Sequence, residues 1–79
     1  MFYDSAQFSR DIKTLIYTYG EHKPHGFFSM QVVKKGPLLI ENRLDRIAVY
    51  YEGKPVEKPV LMDSRAAQAI LHLAVNLEN

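Results

Sequence analysis

The chain has 79 residues, no cysteine, a hydrophobic fraction of 47% and a formal net charge of +1 at pH 7. This length predicts a single α+β domain over residues 1–79, and the hydrophobic fraction excludes a disordered chain. The lack of cysteine excludes disulfides and thiolate metal sites and favours a cytoplasmic location. The net charge is small, whereas obligate binders of duplex DNA or anionic membranes usually have a clear excess of positive charge.

A capped helix is predicted near the N-terminus. Asp4 as N-cap with Gln7 three residues later has the form of a capping box, and Tyr3 with Phe8 has the spacing of a hydrophobic staple. Apolar residues then recur at helical spacing along one side of the segment, which predicts an amphipathic helix. This helix should end at Gly20, placed as its C′ residue. Charged residues interrupt the N-terminal apolar positions, so we expect no export signal.

The segment 21–26, EHKPHG, is predicted to be a loop because of its proline and flanking glycines. Its histidines, His22 and His25, have the spacing HxxH, which in a loop would let both imidazoles reach one metal ion. Structural zinc sites use four ligands, and the sequence offers no cysteine and no nearby third ligand. We therefore expect two solvated histidines, no metal and no other cofactor.

The middle of the chain alternates between apolar and polar residues with the period of a β-strand. Strands are predicted over residues 27–33, 38–41, 46–51 and 56–62. Pro55, just before the last of these, and Pro59 within it favour a position at the sheet edge. An alternative treats residues 38–46 as an irregular connection and leaves three strands. The outer face should be mixed, because apolar residues interrupt its polar surface, namely Phe27, Val33, Leu39, Tyr50 and Leu61.

The segment 62–79, MDSRAAQAILHLAVNLEN, predicts a second helix capped by Asp63 or Ser64. Its apolar residues cover an arc of roughly 240°, against the ~100° stripe of an ordinary surface helix. Such a helix is either sandwiched between the sheet and the first helix or covered in part by another chain. The predicted fold class is α+β, with an N-terminal helix, a three- to four-stranded antiparallel sheet and a C-terminal helix, both helices lying on one face of the sheet.

No pattern in the sequence indicates catalysis. A Gly-rich phosphate loop, a GxSxG elbow, an HExxH helix and cysteine are all missing from the 79 residues. His72 could act as a base, but Gln68 and Asn76 share its polar stripe and make it a solvent-facing helix residue. We expect a protein without catalytic residues, which is not an enzyme.

A protein-binding or dimeric regulatory module explains the largest number of residues. The wide apolar arc of the second helix, the apolar positions of the outer sheet face and the short chain all favour covering by another polypeptide. We therefore predict a small inhibitor or adaptor, similar in scale to accessory proteins of phages and mobile elements, that forms a homodimer and binds a protein partner. The residues expected at these contacts are Ala67, Leu71, Val75, Tyr50 and Phe27.

The alternative prediction is a nucleic-acid-binding regulator. Aromatic residues of the sheet, Phe27, Tyr50 and Tyr51, could stack on unpaired bases. In element order, the last forty or so residues loosely resemble the single-strand-binding transcriptional coactivators, although no motif is shared. Acidic residues interleave with the basic ones, as is typical of solvated turns. The residues expected to contact nucleic acid are Lys34, Lys35, Arg43, Arg46, Lys54 and Lys58.

Overall fold

The computed structural model describes residues 1–78, so the predicted helix end at Asn79 lies outside the described residues. Two helices and seven strands occur within this range, in the order β1 (Phe2–Tyr3), α1 (Ser5–Tyr19), β2 (Glu21–His25), β3 (Phe28–Lys35), β4 (Leu38–Asn42), β5 (Ile47–Tyr51), β6 (Lys54–Pro55), β7 (Val60–Leu61) and α2 (Arg65–Glu78). Strands β2 to β6 form an antiparallel sheet in chain order, and β1 pairs with β7 separately. The α+β class is confirmed, whereas the predicted number of strands was too low. Neither α1 nor α2 is long and apolar enough to cross a membrane.

Helix α1 begins as its sequence predicts. One carboxylate oxygen of Asp4 accepts hydrogen bonds from the backbone N–H groups of Ala6 at 2.8 Å and Gln7 at 3.1 Å. The ring of Tyr3 packs edge-on against the ring of Phe8, with centroids 5.3 Å apart. The N-cap satisfies donors that the helix leaves unpaired, and the staple fixes the direction in which the chain enters it.

The reciprocal half of the predicted capping box is absent from the described hydrogen bonds. The side-chain oxygen of Gln7 accepts from Arg10 at 2.6 Å, and its amide donates to Asp11 at 2.8 Å. Asp11 is buried and also accepts a hydrogen bond from the hydroxyl of Tyr3. Hydrogen bonds to a carboxylate are stronger than those between neutral groups. The Gln7 side chain therefore bonds to Asp11, further along the helix, and not to the backbone N–H of Asp4.

Helix α1 ends at Gly20, as predicted, but Gly20 is its C-cap and does not adopt the left-handed conformation common at C′. Gly20 has φ −65° and ψ 127°, which is extended backbone open to any residue type. Its N–H donates to the carbonyl oxygen of Ile16 at 2.8 Å, and a Cβ atom at Gly20 would overlap that oxygen. Position 20 favours glycine because its backbone lies against the Ile16 carbonyl oxygen, one helical turn earlier, and not because of a positive φ angle.

Residues 21–25 form strand β2, so the prediction of a loop over this segment was wrong. β2 pairs with β3 along its whole length and occupies one edge of the sheet. Pro24 is tolerated because an edge strand needs N–H donors on only one of its two sides. The turn between the two strands contains Gly26, whose φ of +64° lies in the left-handed region, and Phe27.

The turn at Gly36 and Pro37 sets the register of the central strands. Gly36 has φ +57°, and β3 and β4 pair across this turn so that Val33 lies opposite Ile40, which in turn lies opposite Val49. All three of these side chains are buried beneath the helices. Val33 therefore belongs to the core and not to the outer face. The prediction assigned the residues of this strand to the wrong sides of the sheet.

The predicted strand over residues 56–62 is reduced to the two residues of β7, and a second short strand, β6, lies just before it in the predicted turn. β6 continues the main sheet from β5 and forms its second edge, which Pro55 occupies as expected for an edge residue. The chain then leaves that sheet, and β7 pairs with β1 at the start of the chain. The N–H of Val56 still donates to the carbonyl oxygen of Val49 at 2.8 Å, so the pairing with β5 ends only after Pro55. Pro59, which cannot donate a ladder hydrogen bond, lies in the segment that then leads to β7.

Both helices pack on the same face of the main sheet, as predicted. Helix α2 is capped by Ser64, whose hydroxyl oxygen accepts from the backbone N–H of Ala67 at 3.1 Å. The wide apolar arc of α2 is largely covered within the chain, because the helix contacts both α1 and β4. The core that joins the helices to the sheet contains Tyr3, Phe8, Ile12, Leu15, Ile16, Val33, Leu38, Ile40, Val49, Val60, Ala67 and Ile70.

Candidate docking surface

The five residues predicted to bind a partner lie in separate parts of the fold. Ala67 has 0% exposure in the core and cannot touch another molecule, and Leu71 packs half-buried against that core. Val75 is 51% exposed on α2, and Phe27 is fully exposed at the turn between β2 and β3. Tyr50 lies on the sheet face that points away from the helices. These positions do not form one surface, and only Tyr50 is part of an extended apolar patch.

That patch covers the sheet face opposite the helices, which we call the open face. Its apolar side chains belong to the three central strands; they are Phe28, which is 58% exposed, and the partly exposed Met30, Val32, Leu39, Ala48 and Tyr50. Leu39 pairs directly with Tyr50, while Val32 and Ala48 both pair with Glu41 between them. Neighbouring strands lie about 4.8 Å apart, so these side chains form one apolar layer, which Glu41 interrupts between Val32 and Ala48.

The open face results from strands that are apolar on both sides. In β4, Leu38 and Ile40 point to the core while Leu39 points to the open face. In β3, Val33 is buried and Val32 lies on the open face. An antiparallel sheet with one solvated side normally alternates apolar and polar residues, so the open face is more apolar than a fully solvated sheet face.

In the part of the chain that the structure describes, the charged residues at the centre of the open face are one ion pair and one unpaired lysine. Glu41 and Arg43 form an ion pair of 2.7 Å, and their side chains are only 17% and 30% exposed. The hydrogen bond from Arg43 to Glu41 raises the pKa of the Arg43 guanidinium. The Nε atom of Arg43 is shielded from solvent and has no hydrogen-bond partner among residues 1–78. Lys34 adds a positive charge next to Leu39. A partly apolar surface with a single unpaired charge resembles a protein interface more than a phosphate-binding groove.

The six basic residues predicted to contact nucleic acid do not share one surface. Lys35 lies on the helix side of the sheet, with its ammonium nitrogen 4.1 Å from the centroid of the Tyr19 ring. Lys58 donates to the hydroxyl of Ser9 on α1 at 3.0 Å. Lys54 lies opposite Tyr51 across the turn that joins β5 to β6, and therefore on the helix side of the sheet. These three lysines are therefore remote from the open face.

The other three basic residues lie nearer to the open face, but only one of them carries an uncompensated charge there. Lys34 is exposed in β3 and forms no ion pair with any described residue. Arg43 is neutralised by Glu41, and Arg46 is exposed in the connection before β5, where its carbonyl accepts from the N–H of Arg43. A groove that tracks a phosphate backbone needs several such charges in a row.

The histidines are placed apart from one another. His22 and His25 lie three positions apart in a strand, so their side chains point to opposite faces of the sheet and cannot share one ion. Among residues 1–78, no three His, Asp or Glu residues come close enough together to hold a metal ion. His72 is exposed on α2, and its Nε2 atom is 3.1 Å from the side-chain amide of Asn76.

Sequence reasoning identified Leu39 and Tyr50 on the open face but missed Met30 and Val32. The missing information was the register of the hairpin formed by β3 and β4. Counting outward from a two-residue turn at Gly36 pairs Val32 with Glu41, on the same side as Leu39. The alternation of the two strands, read together with this turn, would have placed Met30 and Val32 correctly.

Comparison with known proteins gave no match: no protein-family model, no curated protein and no solved structure matches this chain significantly.

Proposed function

We propose that the protein is a non-enzymatic binding module of the inhibitor or adaptor type, and that it docks on other proteins through the open face. The observation that carries this proposal is the apolar layer formed by Val32, Leu39, Ala48 and Tyr50 on the side of the sheet that the helices leave uncovered. Burying apolar area in an interface stabilises a complex by about 25 cal/mol per Å², and aromatic residues such as Tyr50 are enriched at interfaces.

The size of the open face fits this role. The three strands that carry the apolar layer, at about 4.8 Å spacing and over five residues at about 3.4 Å rise, cover roughly 14 by 17 Å, or about 240 Å² in projection. Contiguous apolar patches of a few hundred Å² are often functional. A face of this size suits a regulatory contact that forms and dissociates.

The first partner to test is a second copy of the chain. A two-fold symmetric dimer requires a self-complementary surface, and the open face carries both signs of charge, with Lys34 opposite Leu39 in β3 and Glu41 two residues beyond Leu39 in β4. Two such faces can stack about 10 Å apart, as the two layers of a β-sandwich do. A homodimer of this form would cover the apolar layers of both copies.

The experiment places a carboxylate in the centre of the open face. Tyr50→Glu and Leu39→Glu should each abolish a dimer measured by sedimentation velocity, or binding to a captured protein partner, because an unpaired charge would be buried in the interface. Thr18→Glu, exposed on α1, is the control with the same added charge. Circular dichroism should show the same thermal unfolding for all folded monomers. If association and partner capture are unchanged in both open-face variants, the proposal fails.

A nucleic-acid-binding role is the second candidate, because Lys34 and Tyr50 share the open face in strands two apart. Single-strand-binding proteins combine basic residues with aromatic rings on which bases stack, and this face offers one residue of each kind. Lys34→Glu should then abolish binding of a labelled oligonucleotide and reduce its salt slope by about 1. Lys35→Glu is a matched control, because the adjacent side chain points to the helix side of the sheet. Equal binding by both variants would exclude this role.

A further inference from the structure

A cleft separates α1 from β5 on the helix side of the sheet, opposite to the open face. Its walls are apolar side chains, Phe8 and Ile12 from the helix and Val49 from the strand, and Lys13 and Lys58 stand at its rim. The cleft has a volume of about 120 Å³. It continues into a shallower groove of about 380 Å³, which passes Tyr17, Gln31 and Asn42.

The two lysines give this cleft a positive charge that the chain does not compensate. Of the described residues that line the cleft and the groove, none is acidic, and neither Lys13 nor Lys58 forms an ion pair with any described residue. The ammonium nitrogen of Lys58 is held at the mouth by the Ser9 hydroxyl at 3.0 Å and lies 5.5 Å from the centroid of the Phe8 ring. Both contacts are to neutral groups, so the charge stays available to a carboxylate.

The dimensions of the cleft favour one inserted side chain. Its 120 Å³ exceed the roughly 30 Å³ that a water molecule occupies but fall below the roughly 300–1,000 Å³ of sites that enclose a complete small molecule. The adjoining groove offers polar groups suited to a peptide backbone. Asn42 donates its side-chain amide to the Gln31 oxygen at 3.1 Å, which leaves the Asn42 oxygen as an acceptor and the Gln31 amide as a donor.

We propose that this cleft binds an acidic peptide segment of a partner protein. One apolar side chain of the peptide enters between Phe8, Ile12 and Val49, and carboxylates on adjacent residues contact Lys13 and Lys58. The peptide backbone then continues along the groove, where Asn42 and Gln31 can hydrogen-bond to it. The site does not depend on docking at the open face, because the sheet lies between the two surfaces.

The test is a titration of the ¹⁵N-labelled protein with three N-acetylated tripeptide amides, followed by heteronuclear NMR. The sequence Asp-Leu-Asp should shift amide signals of residues 8–13 and 47–49, while Asn-Leu-Asn and Asp-Ser-Asp should shift them at least fivefold less at equal concentration. The proposal is overturned if Asp-Leu-Asp leaves these signals unmoved up to its solubility limit. It is also overturned if the neutral peptide, or a single-stranded oligonucleotide, shifts them as strongly.

Matched variants locate the contact. Lys13→Gln and Lys58→Gln should each weaken Asp-Leu-Asp binding roughly two- to fivefold, and raised salt should weaken it further, because exposed ion pairs contribute modestly and are screened. Lys34→Gln is the control with the same loss of charge on the other side of the sheet. Tyr50→Glu should retain peptide binding, which separates this site from the open face. Unchanged affinity in the variant lacking both lysines would refute the assignment.

Discussion

Replacing Tyr3 with phenylalanine tests the buried hydrogen bonds that attach the N-terminal strand to α1. The hydroxyl of Tyr3 donates to one carboxylate oxygen of Asp11, and the Gln7 amide donates to the other at 2.8 Å. Tyr3 and Asp11 are both buried, so water cannot replace a donor that is removed. Because hydrogen bonds to charged groups are worth about 1.5–3 kcal/mol, we expect Tyr3→Phe to lower the free energy of unfolding by that amount near pH 8.

The same hydroxyl makes stability depend on alkaline pH. Burial, followed by the hydrogen bond and the negative charge of Asp11, raises the pKa of Tyr3 well above its usual value of about 10. Above that pH the unfolded chain releases the Tyr3 proton while the folded chain keeps it, so the unfolded state binds fewer protons and stability falls as pH rises. The loss amounts to about 1.4 kcal/mol per pH unit until the raised pKa is reached.

The assay is urea unfolding followed by circular dichroism at about pH 8 and about pH 11, on the unmodified protein and on Tyr3→Phe. Phenylalanine has no proton to lose, so the stability difference between the two proteins should shrink by about 1.4 kcal/mol over this interval. Tyr17→Phe is the control, because it removes the same hydroxyl from a residue that is 91% exposed. Equal pH dependence in the unmodified protein and in Tyr3→Phe would refute the reasoning.

Two further substitutions test the ends of α1 by thermal unfolding. Gly20→Ala should destabilise the fold by about 1–3 kcal/mol, since its Cβ atom would overlap the carbonyl oxygen of Ile16 and the backbone would have to move. Thr18→Ala is the control. Equal effects of the two substitutions would contradict the close approach of Gly20 to the Ile16 carbonyl. Asp4→Ala should cost about 1 kcal/mol, because the N–H groups of Ala6 and Gln7 lose their acceptor. Asp4→Asn, which keeps an acceptor, should restore most of that loss.

The features that sequence predicted correctly depend on residues close together in the chain. The N-cap at Asp4, the staple between Tyr3 and Phe8 and the strand that carries Tyr50 can each be recognised from a few neighbouring residues. The helices followed from apolar spacing for the same reason, and their shared position on one face of the sheet followed from the need to cover a single core.

The features that sequence missed depend on partners far away in the chain. β7 exists because Phe2 lies opposite Leu61, a pairing that no local pattern in either segment indicates. Segment 21–25 contains a proline that reads as a loop signal, and only its position at an edge allows it to be a strand. The cleft rimmed by Lys13 and Lys58 was missed for the same reason, because it forms only where α1 meets residues from the second half of the chain.

The prolines at the two edges of the main sheet influence how this protein can associate. Pro24 lies in β2 and Pro55 in β6, so each edge strand lacks one backbone donor. β6 is also only two residues long, which gives an incoming strand little to pair with. Edges of this kind oppose the addition of further strands, and with it fibril growth from chain to chain. A protein with such edges and an apolar sheet face can bind partners by stacking while staying protected from aggregation by edge pairing.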